Sequence, residues 1–116
     1  MSEFKHQAAL VSWFDIACKR YNLPKYALYS NPNGGTRNPL EAANLKRGGV
    51  RRGVPDLTLC VPRKGYHGLY IELKHGKNKL SAEQGEFLEF LQAQNYYVTV
   101  CYDWEAARLE IENYLK

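Results

Sequence analysis

At 116 residues the chain is long enough to bury a real core as one domain, residues 1–116, and too short to divide into two. Its 45% hydrophobic and 24% charged residues are ordinary globular usage and exclude an intrinsically disordered chain. A formal charge of +4 and a pI near 9.0 permit a polyanionic partner without requiring one.

The start, Met1-Ser2-Glu3-Phe4-Lys5-His6, lacks the apolar core of a signal peptide, and no stretch approaches a membrane span. The expectation is a soluble cytoplasmic protein with no membrane partner. Cys18, Cys60 and Cys101 are odd in number, widely spaced and set in apolar surroundings, without metal-ligand spacing. They are expected to be buried free thiols.

In chain order, residues 3–20 are expected to form a helix. Leu10, Trp13, Phe14, Ala17 and Tyr21 recur at spacings of three and four, with Phe4 and Val11 widening the apolar stripe. Ser2 is its candidate N-cap, and Asn22-Leu23-Pro24 ends it. Tyr26 to Ser30 reads as a short strand, and Asn31-Pro32-Asn33-Gly34-Gly35 as a turn. Asn38-Pro39-Leu40-Glu41 has a capping Asn, Pro at the first helical position and Glu at the third. The spacing predicts a short helix that carries Leu45 inward and stops at Gly48-Gly49. Glu41 is thereby assigned to capping rather than to a site.

Two strands follow. Side chains alternate faces along a strand, so Asp56, Thr58 and Cys60 share one face, and Leu57, Leu59 and Val61 take the other. Tyr70, Glu72 and Lys74 likewise share a face, opposite Leu69, Ile71 and Leu73. Arg63 to Gly68 reads as the hairpin connection. A turn at Gly65 would set Asp56 across from Lys74 or, with a small shift of register, from Glu72. Ser81 to Gln84 has capping-box spacing, opening a helix that buries Phe87, Leu88 and Leu91 and closes at Asn95. Tyr96 to Tyr102, apolar on both faces, is expected to be an interior strand. Asp103 caps a last helix burying Trp104, Ala107, Ile111 and Leu115. The order helix, strand, short helix, strand, strand, helix, strand, helix predicts an α/β sandwich with a central mixed sheet flanked by helices.

The chemistry gathers on the two central strands. Two neighbouring carboxylates repel unless one takes a proton or a cation neutralises both. Hard divalent ions take oxygen ligands, and Mg²⁺ commonly uses one or two carboxylates plus phosphate and water, which fits Asp56 and Glu72. Lys74, on the Glu72 face, is placed to orient or deprotonate a water and to stabilise a phosphorane-like transition state. Lys46, Arg47, Arg51 and Arg52 crowd before Asp56, and Lys77 and Lys79 follow Lys74; these are the candidate nucleic-acid backbone contacts. The bland alternative is a surface ion-pair cluster at a strand edge. It accounts less well for Pro55-Asp56 at hairpin-compatible distance from Glu72-Leu73-Lys74.

Pro55-Asp56 followed by Glu72-Leu73-Lys74 resembles the PD-(D/E)XK nuclease signature. Taken with Gly49-Val50-Arg51-Arg52-Gly53-Val54-Pro55-Asp56-Leu57, Tyr70-Ile71-Glu72-Leu73-Lys74 and Leu80-Ser81-Ala82-Glu83-Gln84, the chain resembles the virus-type replication–repair nuclease (VRR-NUC) domain over nearly its whole length, as a stand-alone, phage-type member. That resemblance implies a restriction-endonuclease-like fold and metal-dependent hydrolysis of DNA. Asp56 and Glu72 would be Mg²⁺ or Mn²⁺ ligands, the Leu73 carbonyl a further ligand, and Lys74 would sit at the attacking water. It also implies Glu3, followed by Gln7, as an acidic contribution from the first helix, and Gln84 as a site residue. Gln84 equally has the position of a capping-box partner for Ser81, and both readings stand. Stand-alone members are similar to Holliday-junction resolvases, which implies branched DNA as substrate and a homodimer that makes two paired cuts. The alternatives are a non-catalytic nucleic-acid-binding module with the same fold, and a monomeric flap or single-strand nuclease.

Overall fold

The computed structural model describes residues 1–33 and 38–116; the turn expected over Asn31 to Gly35 therefore runs partly outside the described residues. The elements are α1 (Glu3–Ala17), β1 (Leu28–Ser30), α2 (Pro39–Arg47), β2 (Leu57–Leu59), β3 (Leu69–Leu73), α3 (Ala82–Ala93), β4 (Tyr97–Cys101) and α4 (Trp104–Leu115). Two short 3₁₀ turns, Cys18–Tyr21 and Lys25–Ala27, join α1 to β1. They replace the last turn of the expected first helix and the first residues of the expected first strand. The type and order of every expected element are as the pattern required.

The four strands form one sheet in the order β1-β2-β3-β4, with β1, β2 and β3 antiparallel and β4 parallel to β3. The fold is thus α/β with a mixed sheet. A parallel neighbour needs a crossover, which α3 supplies. One sheet face carries Leu57, Leu59, Leu69, Ile71 and Leu73, packed with Leu10 and Phe14 of α1 and Ala107 and Ile111 of α4 in the main core. Full burial of each such leucine or isoleucine is worth about 1.5–3 kcal/mol. Leu88 and Leu91 of α3 are buried outside that cluster, and α3 covers part of the opposite face.

Several expectations of position and burial are corrected. β4 is an edge strand in the described sheet, not an interior one. Its two apolar faces reflect cover by α3 on one side and α4 on the other, not a place between two strands. Phe4 does not join the helix stripe; it is 73% exposed, in the first turn of the helix. Cys60 is exposed, whereas Cys18 and Cys101 are buried; Cys60 lies just beyond the end of β2. Trp104 and Leu45 are only half-buried, and Tyr114 enters the core instead, its hydroxyl donating to the Val61 carbonyl at 2.6 Å.

Candidate active site

The hairpin geometry decides which residue Asp56 meets. Lys64 and Gly65 both have positive φ, 54° and 85°, and the Tyr66 N–H donates to the Arg63 carbonyl at 2.8 Å. That is the primed two-residue turn whose twist suits a hairpin. Between the Arg63–Tyr66 pair and the Leu59–Leu69 pair, residues 60–62 face only 67–68. One extra residue, in a limb that contains the non-donating Pro62, shifts the register. Leu57 then pairs with Ile71. One step further, Asp56 stands opposite Glu72 rather than Lys74, which selects the second of the two expected registers.

Asp56 is fastened at several points. Its Oδ2 accepts from the Leu73 N–H at 2.7 Å. Its carbonyl accepts from the Asn31 N–H at 2.8 Å, and the Asn31 side chain donates to the Pro55 carbonyl at 3.0 Å and to Thr58 Oγ1 at 2.8 Å. By its neighbours in the sequence Asn31 belongs to a turn. Only the β1–β2 register places it beside Pro55-Asp56, and no local signal marks it.

Glu72 is 2% exposed and Lys74 8%, so both charges lie largely out of water. Lys74 Nζ is 3.8 Å from Glu72 Oε2, and Gln84 Nε2 donates to the same oxygen at 3.2 Å. Among the described residues, no N–H or hydroxyl donates to the buried Glu72 Oε1. Burial, and then the charge of Asp56, push the Glu72 carboxyl up to about 8, with Lys74 opposing. Burial also raises Asp56, against the Leu73 N–H bond. In this state the pair holds its charge down by retaining a proton on Glu72.

The two readings of Gln84 turn out to be compatible. Its Oε1 accepts from the Ser81 N–H at 2.9 Å and its own N–H donates to Ser81 Oγ at 3.1 Å, completing the capping box. Its amide nitrogen is left to reach Glu72. The close fit of this helix start depends on Gly53. At φ 90°, an added Cβ there would lie 2.7 Å from the Glu83 carbonyl carbon and oxygen.

Glu3 stands in the first turn of α1, capped by Ser2, and its Oε2 accepts from Asn78 Nδ2 at 3.1 Å. It is near enough for its charge to raise both Asp56 and Glu72. Gln7 is half-buried on the same helix. Leu73 turns its side chain into the core and its N–H to Asp56. Among the described residues, no group of three or more His, Cys, Asp or Glu side chains is assembled as a metal cage. The oxygen donors are the Asp56–Glu72 pair.

Lys46, Arg51 and Arg52 line a groove of about 470 Å³ with Asn33, Ala42 and Val50. It continues past Asn31 and Val54 to Phe87, and then along Glu83, Glu86 and Phe90. Arg47 is directed instead to Asn44, with Nη1 3.4 Å from Oδ1. Lys77 and Lys79 are exposed in the connection between β3 and α3, apart from that groove's lining.

The VRR-NUC domain profile matches residues 2–104. The chain belongs to the VRR-NUC domain family. A solved structure described as a VRR_NUC domain protein is 27% identical, with a TM-score of 0.82, and the match covers 98% of this chain and 88% of that one. A search of curated proteins finds no match. As a VRR-NUC domain the chain is a nuclease domain with DNA as the implied substrate. Among the described residues no helix is long and apolar enough to cross a membrane.

Proposed function

We propose that residues 1–116 form a single domain that hydrolyses DNA phosphodiester bonds with a divalent metal, Mg²⁺ or Mn²⁺. We further propose that it selects branched DNA, four-way junctions included, and works as a homodimer. The observation that carries this is the pairing of half-buried Asp56 with buried Glu72, one of whose oxygens has no donor among the described residues, beside a buried lysine. A buried oxygen without a donor is costly unless a cation or proton satisfies it, so the donor set fits a hard, oxygen-liganded ion. Asp56 and Glu72 would hold it, with the Leu73 carbonyl and, from α1, Glu3. When bound, such an ion supplies an activated water and charge stabilisation at the phosphoryl oxygens.

The chain's own residues do the rest. Asn31 fixes the backbone at Pro55 and Asp56, the Leu73 N–H fixes the Asp56 carboxylate, and Gln84 fixes Glu72 Oε2. Lys74 Nζ orients the attacking water and stabilises negative charge on the phosphorane. Lys46, Arg51 and Arg52 in the groove, with Arg47 on α2 and Lys77 and Lys79 in the β3–α3 connection, hold the phosphate backbone. One chain carries one such site, and a two-fold junction needs two paired cuts, which a symmetric dimer provides.

The test is a cleavage panel of four-way junction, flap, splayed and linear DNA with Mg²⁺, Mn²⁺ or EDTA, alongside sedimentation. Metal-dependent cutting of branched DNA is expected, falling about 10²-fold or more in Asp56→Ala, Glu72→Ala and Lys74→Ala. Variants that cut at the wild-type rate would remove the site assignment. A monomer at working concentration would remove the paired-cut reading.

A further inference from the structure

The sheet face that carries the carboxylates also carries a row of aromatic rings. Tyr29 pairs across with Thr58 and Thr58 with Tyr70, so the three side chains stand on one face in a line across β1, β2 and β3. Tyr70 continues to Tyr96 (ring centroids 5.3 Å apart, edge-to-face), and Tyr96 to His67 at 5.7 Å. Tyr29 is 45% exposed, Tyr70 and Tyr96 are half-buried, and His67 is exposed. The row is therefore built into the sheet yet open along one side, where α3 does not reach across to β1.

Its position relative to the site is fixed by strand geometry. Tyr70 precedes Glu72 by two residues on the same face of β3, a separation of about 7 Å. Thr58 follows Asp56 by two on β2. Asn31 links the two ends: its side chain binds Pro55 and Thr58, while it also lines the arginine groove. The groove lies beyond the carboxylates toward the Asn31 end of the strands, and the tyrosines lie beyond them in the other direction. Phosphate-binding cations thus stand on one side of the cutting residues and open aromatic faces on the other.

Those two surfaces suit different states of a polynucleotide. Arginine and lysine in a groove hold the charged backbone of paired or unpaired strands. Aromatic rings gain energy from bases only when the bases are unstacked and free to lie on them. We propose that Tyr29, Tyr70 and Tyr96 form a stacking platform for unpaired DNA bases adjoining the cut. Among the branched substrates proposed above, those with an unpaired strand at the branch then gain contacts that a fully paired strand cannot make. This rests on the nuclease reading for the position of the cut. The occupant is argued from continuity of the aromatic row with the carboxylates and from the basic groove in line with both.

Binding is measured by fluorescence anisotropy in EDTA, so that nothing is cleaved, with a labelled oligothymidine and a labelled duplex of equal length. The proteins are the wild-type chain, Tyr29→Ala and Tyr29→Phe. Tyr29 is on the exposed edge strand, and circular dichroism confirms that each variant folds. Tyr29→Ala is expected to weaken oligothymidine binding by about fivefold or more, while duplex binding stays unchanged and Tyr29→Phe restores the single-strand affinity. Equal effects on both ligands, or none on either, would overturn the platform. So would conversion of a sedimenting dimer to monomer by Tyr29→Ala, which would assign this face to a second copy of the chain. Failure of the wild-type chain to cleave any DNA with metal would sink the nuclease reading but leave this binding comparison standing, so the two failures are separable.

Discussion

Glu72 has two oxygens in unlike surroundings: Oε2 meets Gln84 and Lys74, while no N–H or hydroxyl among the described residues donates to the buried Oε1. Burial and Asp56 push its carboxyl up to about 8, so the folded chain binds this proton more tightly than the unfolded one does. The sign of the linkage follows. The contribution to stability is complete below the ordinary carboxylate value and is lost as pH rises toward 8. Metal-free wild-type protein is therefore expected to melt lower at pH 8.5 than at pH 5.5. Glu72→Gln, which cannot ionise, is expected to remove most of that difference and to raise the melting temperature at pH 8.5 by several degrees. Mg²⁺ or Mn²⁺ is expected to stabilise the wild type more at pH 8.5 than at 5.5, because ion and proton compete for the same carboxylate pair. Thermal scans in EDTA and in excess metal check all three. A Glu72→Gln profile with the full wild-type slope would place the titration elsewhere.

At the scale of elements, the start of α3 joins three parts of the chain that are distant in sequence. Gly53 gives the helix its close approach, Ser81 caps it, and Gln84 both completes the cap and holds Glu72. These roles separate by mutation. Ser81→Ala is expected to cost about 1 kcal/mol of stability while leaving the cleavage rate near wild type. Gln84→Ala is expected to lose a similar amount of stability and, unlike Ser81→Ala, to slow cleavage as well. Gly53→Ala meets both a positive φ and the Glu83 backbone, and is expected to cost more than either. Denaturant melts combined with single-turnover rates distinguish them; equal rates for Ser81→Ala and Gln84→Ala would make Gln84 a cap alone. Much of this element structure was legible in the chain, because caps, turn glycines and apolar periodicities are local signals. Asp103, Ser81, Asn38 and Ser2 all cap where their spacing predicted. What stayed hidden was set by tertiary pairing. The turn at Lys64-Gly65 and the extra residue in 60–62 together set Glu72 rather than Lys74 opposite Asp56, Asn31 reached Pro55 only through the β1–β2 register, and cover by α3 and α4 made an edge strand look interior. The tyrosine row was invisible for the same reason, since Tyr29, Tyr70 and Tyr96 share no periodicity along the chain.

Across the whole molecule, the net charge of +4 is too small to account for tight DNA binding by composition alone; the distribution has to do it. Lys46, Arg51 and Arg52 line one groove that runs to Asn31 beside Pro55-Asp56, whereas Arg47 is drawn toward Asn44 and Glu83 and Glu86 border the far end of the same channel. A phosphate that neutralises a groove cation releases condensed counterions, so each contact contributes about 0.9 to the slope of log K against log salt for duplex DNA. Arg51→Ala and Arg52→Ala are each expected to lower duplex affinity and flatten that slope by about one contact. Arg47→Ala is expected to change the slope by less, although all three residues stand within six positions and look alike in the sequence. Titrations of a labelled duplex from low to physiological salt, in EDTA, read the slopes directly. If Arg47→Ala flattens the slope as much as Arg51→Ala and Arg52→Ala do, the backbone runs over the outer face of α2 instead of through the groove. The carboxylates would then need a separate route to the strand they cut.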